Sequence, residues 1–197
     1  MTLPPDSRAI RSKRDLALEV AEGLLRDQGY LGVSMELVAR GAGLRKPGLY
    51  HHFPGGKEEM MMVLAERLMA RAEGGFRSAI APRPTAIAQL GALAAWMFAE
   101  GRHTERMLRD VLRFVDAERQ AKLYGHFERQ LLAQVRAVLD AGVDSGELRV
   151  HNTELSMWAF MGLLSEFAVI EPPTGVNLAE WLLDFFAQGV LAQTSPA

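Results

Sequence analysis

The chain has 197 residues, with 22 Lys and Arg against 24 Asp and Glu and no cysteine. At about 150 residues per domain, that length suits one large domain, or a small domain joined to a larger one. The absence of cysteine excludes disulfides, a thiolate nucleophile and Cys-ligated metal centres. Hydrophobic residues make up 49% and charged residues 23%, too apolar for a disordered chain. No apolar run reaches the roughly 18 residues of a membrane helix, and the polar N-terminus is unlike a secretory signal. These features predict a soluble cytoplasmic protein. The near-neutral total hides two basic segments. Residues 1–14 carry Arg8, Arg11, Lys13 and Arg14 against Asp6 alone, and residues 40–57 carry Arg40, Arg45, Lys46 and Lys57 with no acid. Clustered cations at one end of a weakly acidic chain suit a localised polyanion contact, or simply a solvated face.

Apolar spacing predicts helices throughout. Leu16, Val20 and Leu24, flanked by Ala17, Ala21 and Leu25, mark a first helix, stopped at Gly29. Ser34 is a natural N-cap for a short second helix through Leu37 and Val38, broken by Gly41-Ala42-Gly43. A third short helix spans about Leu44 to His52, and Pro54-Gly55-Gly56 turns the chain. A fourth runs from about Lys57 into the seventies, with Met60-Met61-Met62 as packing residues rather than metal ligands. A fifth holds Ile87, Leu90, Leu93 and Met97 and ends at Gly101; a shorter one follows Thr104. A long helix carries Leu123 to Leu139 and stops at Gly142. Thr153 or Asn152 opens the next, and Asn177 with Glu180 resembles a capping box for the last. No strand pattern occurs. The fold class is therefore all-α.

Residues 34–53 carry the functional signal. Two short helices joined by a Gly-Ala-Gly turn, behind a longer amphipathic helix, have the layout of a helix-turn-helix module. The small turn residues let the helices cross closely. The second of the pair presents Arg45, Lys46, Gly48, Tyr50, His51 and His52, donors suited to a negatively charged groove. The run VSMELVARGAGLRKPGLYHHF at 33–53, preceded by Gly29-Tyr30 and followed by Lys57-Glu58-Glu59, resembles the DNA-binding domain of TetR-family transcriptional regulators. The resemblance covers about residues 11–64.

That resemblance implies an N-terminal three-helix DNA-binding domain, residues 1–56, and a larger helical effector-binding and dimerisation domain, residues 57–197. It implies a homodimer whose recognition helices enter successive major grooves of double-stranded operator DNA. A small-molecule effector would then move the two heads apart and release the DNA. By position, Lys46 and Tyr50 would contact phosphates or bases, and His51 would face the groove. Lys57 would donate to a phosphate, and Ser34 would cap the second helix. Arg45 stands where the family often has Ser, adding a candidate bidentate guanine contact. Gly48 stands where Ser or Thr is usual; close backbone approach to DNA and neutral drift both account for it.

The remaining candidates are apolar. Trp96, Met97, Met107, Val111, Phe114, Phe127, Trp158 and Met161, with Phe98, suit an adaptable ligand pocket or plain core. Arg109, His126, Gln130 and Glu166 are candidate polar contacts, and a mostly apolar effector is expected. Leu164, Ala168, Trp181, Leu182, Phe185 and Phe186 either form a dimer interface of two helices from each copy or close the chain's own core. His51 and His52 would point about 100° apart on a helix, which suits no shared metal. His103, His126 and His151 lack ligand spacing, and no nucleophile motif occurs. Neither metal, cofactor nor catalytic residues are expected. The competing reading is a helical small-molecule carrier or sensor that acts through protein partners without sequence-specific DNA binding.

Overall fold

The structure is a computed structural model. It describes residues 12–81 and 83–191, without the side chains at 124, 126–128 and 130. Arg8 and Arg11 of the basic arm, and the side chains of His126, Phe127 and Gln130, therefore lie outside the described residues.

Among the described residues ten α-helices follow one another. The first is α1 (Lys13–Gly32), whose N-cap Ser12 accepts a hydrogen bond from the Asp15 amide. Ala17, Leu18, Ala21 and Leu25 form its buried stripe. The expected stop at Gly29 is a kink: Gly29 has φ 69° and ψ 179°, and one further turn follows it. The Ser34 side chain caps α2 (Met35–Gly41) by accepting from the Leu37 amide at 3.2 Å. Gly43, at φ 62°, takes the left-handed conformation that turns the chain. Arg45 is then extended, so α3 (Lys46–His52) starts two residues later than its apolar pattern suggests. Leu49 and Phe53 are fully buried and hold α3 in place.

The longest helix, α4 (Gly56–Ile80), buries Met60, Met61 and Met62 as packing residues. Next, α5 (Ala86–Trp96) continues through a wide π turn at Met97–Gly101 directly into α6 (Arg102–Leu112). The break expected at Gly101 is therefore absent. Gly101 is buried against Trp96 and Met97, where a Cβ would sit 2.9 Å from each. Its small size serves packing inside the π turn. In the same way α7 (Ala117–Phe127) passes through a π turn at Glu128–Leu132 into α8 (Ala133–Asp144). Here too the expected stop, Gly142, is a packing residue set against Ala86 and Leu148. Gly146, at φ 77°, takes the turn instead. Asn152 caps α9 (Thr153–Phe167), and Asn177 caps α10 (Leu178–Val190). Among the described residues no strand forms beyond a single antiparallel bridge between Leu148 and Leu191.

Two cores result. The first joins α1–α3, the first half of α4, and Met107, Leu108, Val111 and Val115 at α6. The second joins the far half of α4 to α5, α8, α9 and α10 around Phe76, Leu93 and Phe160. Thus α4 and the continuous α5–α6 run through both, and a shift of either helix reaches the head as well as the body.

Candidate nucleic-acid interface and effector cavity

Capping and burial orient the head. With Leu49 and Phe53 turned inward, helical spacing turns Arg45, Lys46, Tyr50 and His51 outward, and all four are exposed. Gly48 and His52 are half-buried beside them. Arg45 and Lys46 have no acidic partner among the described residues, whereas Arg40 on α2 is paired with Glu36. A Cβ on Gly48 would meet only the Leu44 side chain, at 3.8 Å, and its φ is not positive. Nothing inside the chain requires glycine there. Gly48→Ala should therefore stabilise α3, by up to about 1 kcal/mol. If the glycine serves close approach to DNA, the same change weakens DNA binding. A raised Tm with undiminished DNA affinity would assign Gly48 to drift.

Lys57 points elsewhere than expected. Its Nζ donates to the Tyr30 carbonyl at 2.6 Å and lies 4.1 Å from the Tyr30 ring centroid. Burial holds its pKa below that of a free lysine, and the Asp110 carboxylate works against that shift. The ammonium ties the start of α4 to the end of α1. Tyr30 is also held from α6: its amide donates to Asp110, and its ring stacks on Phe114 at 4.5 Å and 8°. Phe114 belongs to this junction and does not line the cavity. The kink at Gly29 brings Tyr30 there, since a Cβ on Gly29 would stand 3.0 Å from Asp110 Oδ2.

Behind the junction lies a cavity of about 650 Å³ between α4, α6 and the Trp96–Met97 corner. Its inner wall is Met69, Phe76, Trp96, Leu108 and Leu131. Trp96 reaches across α4 at Gly75, where a Cβ would sit 2.1 Å from the indole, and meets Phe76 edge-on at 5.3 Å. Its polar edge holds Glu105, Arg109, Arg113 and Ser165. Arg109 Nε donates to Glu105 at 3.0 Å, and Arg109 Nη2 donates to Ser165 Oγ at 2.9 Å; Ser165 Oγ donates to Glu105 at 2.5 Å. Burial acts to lower the Arg109 pKa, but Glu105 and then Glu166 outweigh it, and the net shift is upward.

Of the expected pocket residues, Trp96 and Met97 line this cavity. Met107 lines a neighbouring cleft between α1 and α4. Val111 is spent in the first core and Met161 in the second, and Trp158 is 47% exposed. Helical spacing marks a residue as apolar but does not say which neighbour its face meets. Met69, Phe76, Glu105 and Arg113 line the cavity as well, and of these only Glu105 carries a signal in the chain, its i,i+4 spacing from Arg109.

The expected interface residues divide likewise. Leu164, Ala168, Leu182 and Phe186 are buried in the chain's own second core and offer nothing to a partner. Trp181 and Phe185 are exposed and stacked at 5.6 Å, and Phe167 packs on Trp181 at 5.4 Å. The reason is helix geometry: neighbouring residues lie about 100° apart, so 182 and 186 face inward while 181 and 185 face outward. On α9, Leu155 and Trp158 are also exposed. Among the described residues no cluster of His, Asp and Glu could hold a metal ion, and no helix is long and apolar enough to cross a membrane.

A capped helix-turn-helix carrying cations without acidic partners among the described residues, set on a larger helical body with its own cavity, defines a DNA-binding protein of the helix-turn-helix class. Residues 11–62 match the model of the bacterial regulatory proteins of the tetR family. The chain is 28% identical over 184 residues to the HTH-type transcriptional regulator EthR of Mycobacterium tuberculosis, covering 87% of this chain and 85% of that protein. Its fold matches the ketosteroid transcriptional regulator KstR2 of Mycobacterium tuberculosis at a TM-score of 0.69 and 20% identity, over 93% of this chain and 97% of that one. It matches the transcriptional regulator FadR of Bacillus subtilis, solved with stearoyl-CoA, at 0.75 and 18%, over 88% and 97%. Residues 11–62 thus match a tetR-family DNA-binding domain, and the chain as a whole is similar in sequence and fold to transcriptional regulators of that kind.

Proposed function

We propose that this protein is a cytoplasmic repressor that binds a pseudo-palindromic operator as a homodimer and is released by a small, mostly apolar effector. Residues 1–56 serve as the reading head and 57–197 as the effector-binding and dimerisation body. The observation that carries the reading is the pair Arg45 and Lys46, exposed at the start of α3 without acidic partners among the described residues. Lys46 and Tyr50 supply phosphate contacts, Arg45 and His51 read base edges, and Ser34 and Lys57 hold the helices that present them. The exposed apolar faces of α9 and α10 supply the two-fold contact. FadR of Bacillus subtilis, which shares the fold, was solved in complex with stearoyl-CoA, and this supports a small-molecule effector here. Asp110 on α6 holds the head by the Tyr30 amide, and its neighbour Arg109 faces the cavity. An effector that prefers a shifted α6 therefore lowers DNA affinity by its differential affinity for the two states.

The test is fluorescence anisotropy with DNA from upstream of the protein's own gene, across a salt series and with non-specific competitor. Lys46→Ala should reduce the log–log salt slope by about 2 in a dimer, at roughly 0.9 per phosphate contact. Arg45→Ala should flatten the ranking of operator variants at one base position, by about 1–3 kcal/mol of lost discrimination. An unchanged ranking overturns the base-reading role. Binding abolished by competitor at every upstream and genomic fragment tried overturns sequence-specific recognition.

A further inference from the structure

The cavity's polar edge says more about its ligand than its size does. Glu105 is already committed, accepting from both Arg109 Nε and Ser165 Oγ. The outer face of Arg109 is held differently. Glu166 Oε2 stands 3.4 Å from both Nη1 and Nη2, long for a charge-assisted hydrogen bond, and the Glu166 side chain is 72% exposed. Such a carboxylate returns to water at little cost. Its departure would free that edge of the guanidinium for the anionic group of a ligand held at the cavity rim, where Arg109 is a lining residue. One helical turn on, Arg113 also lines the cavity and has no ion-pair partner among the described residues.

The geometry points to an amphipathic anion as the ligand: an apolar chain or ring body against Phe76, Trp96 and Leu131, with a carboxylate or phosphate that displaces Glu166 from Arg109 and pairs with Arg113. This rests on the effector-site reading above and adds the ligand's charge to it. Once Glu166 swings out, two guanidiniums face one committed carboxylate, an excess of one positive charge that an anion neutralises. A cation would lie between Arg109 and Arg113 and be repelled by both. The cavity volume of about 650 Å³ suits a ligand of drug or medium-chain fatty acid size.

Isothermal titration calorimetry on the full chain, without DNA, tests this with four submicellar probes: decanoate, 1-decanol, decylamine and decanoyl-CoA. Decanoate should bind at least tenfold more tightly than 1-decanol, and decylamine most weakly. Arg113→Ala, at an exposed position, should bring the ratio of decanoate to decanol affinity close to one. Glu166→Gln removes the competing carboxylate and should raise that ratio severalfold, an effect that simple loss of folding cannot produce. Tighter binding of decanoyl-CoA than of decanoate, lost in Arg113→Ala, supports the proposal with the thioester's phosphates as the anion source. Equal binding of decanoate and decanol, preference for decylamine, or no binding of any probe overturns it. Because DNA is absent, the ligand class stands or falls apart from the repressor reading. Tight decanoate binding with no change in operator anisotropy would sink release by effector and leave the anion site intact.

Discussion

The double substitution Trp181→Glu and Phe185→Glu is expected to give a monomer that no longer holds its operator. Both rings are about half exposed and stacked on the outer face of α10, while Leu182 and Phe186 on the inner face close the core. The glutamates therefore remove the apolar surface proposed for the two-fold contact and add two charges to each copy without touching the interior. Two heads on one body bind two half-sites with a high effective concentration, and separating them forfeits roughly 10²–10⁴ in affinity. Analytical ultracentrifugation should show the mass of one chain, and anisotropy should show only salt-sensitive, unspecific DNA binding. Thermal unfolding of the dimer should depend on protein concentration and that of the variant should not. A variant that stays dimeric would move the interface off α10.

Asp110→Ala should loosen the head from the body. The Asp110 carboxylate accepts from the Tyr30 amide, one residue past the kink at Gly29. Removing the acceptor strands a half-buried N–H, at a cost of about 1–3 kcal/mol. It also removes the negative charge that favours the ammonium of Lys57. The Tyr30–Phe114 stack and the Lys57 hydrogen bond remain, so the fold should survive with a lowered Tm. Hydrogen exchange at the Tyr30 amide should rise well above that of the α1 core at Ala21, which separates local loosening from global unfolding. If decanoate weakens operator binding in the parent chain, the variant should lose part of that effect, because Asp110 is the polar link between the cavity helix and the head, beside the apolar contacts of Met107, Leu108 and Val111. Unchanged exchange at Tyr30 would remove Asp110 from the junction.

The reading head was legible in the chain because its signals are local. A serine cap at Ser34, small residues at 41–43 and the order of Leu49, Tyr50 and Phe53 each act within a few residues. The all-helical class and the caps at Asn152 and Asn177 were legible for the same reason. Gly29, Gly101 and Gly142 were harder, since glycine signals a helix end and a tight packing contact by the same letter. Gly29 does break helical geometry, through its positive φ. Gly101 and Gly142 instead make room for Trp96 and for Leu148, neighbours that only the folded chain brings near.

The local signals of the chain thus suffice for a helical regulator with a cationic recognition helix, because helix periodicity, capping and charge are properties of short segments. Tertiary structure alone decided what each apolar face meets. It set Val111 and Met161 in the cores, Phe114 on Tyr30, and Trp181 outside while Leu182 lies inside. It turned Lys57 inward onto Tyr30 and joined Glu105, Arg109 and Ser165 from α6 and α9 at the edge of one cavity. Hydrophobic burial is non-directional, so a stripe of apolar residues says that something will cover it and leaves the partner to the packing of helices distant in the chain.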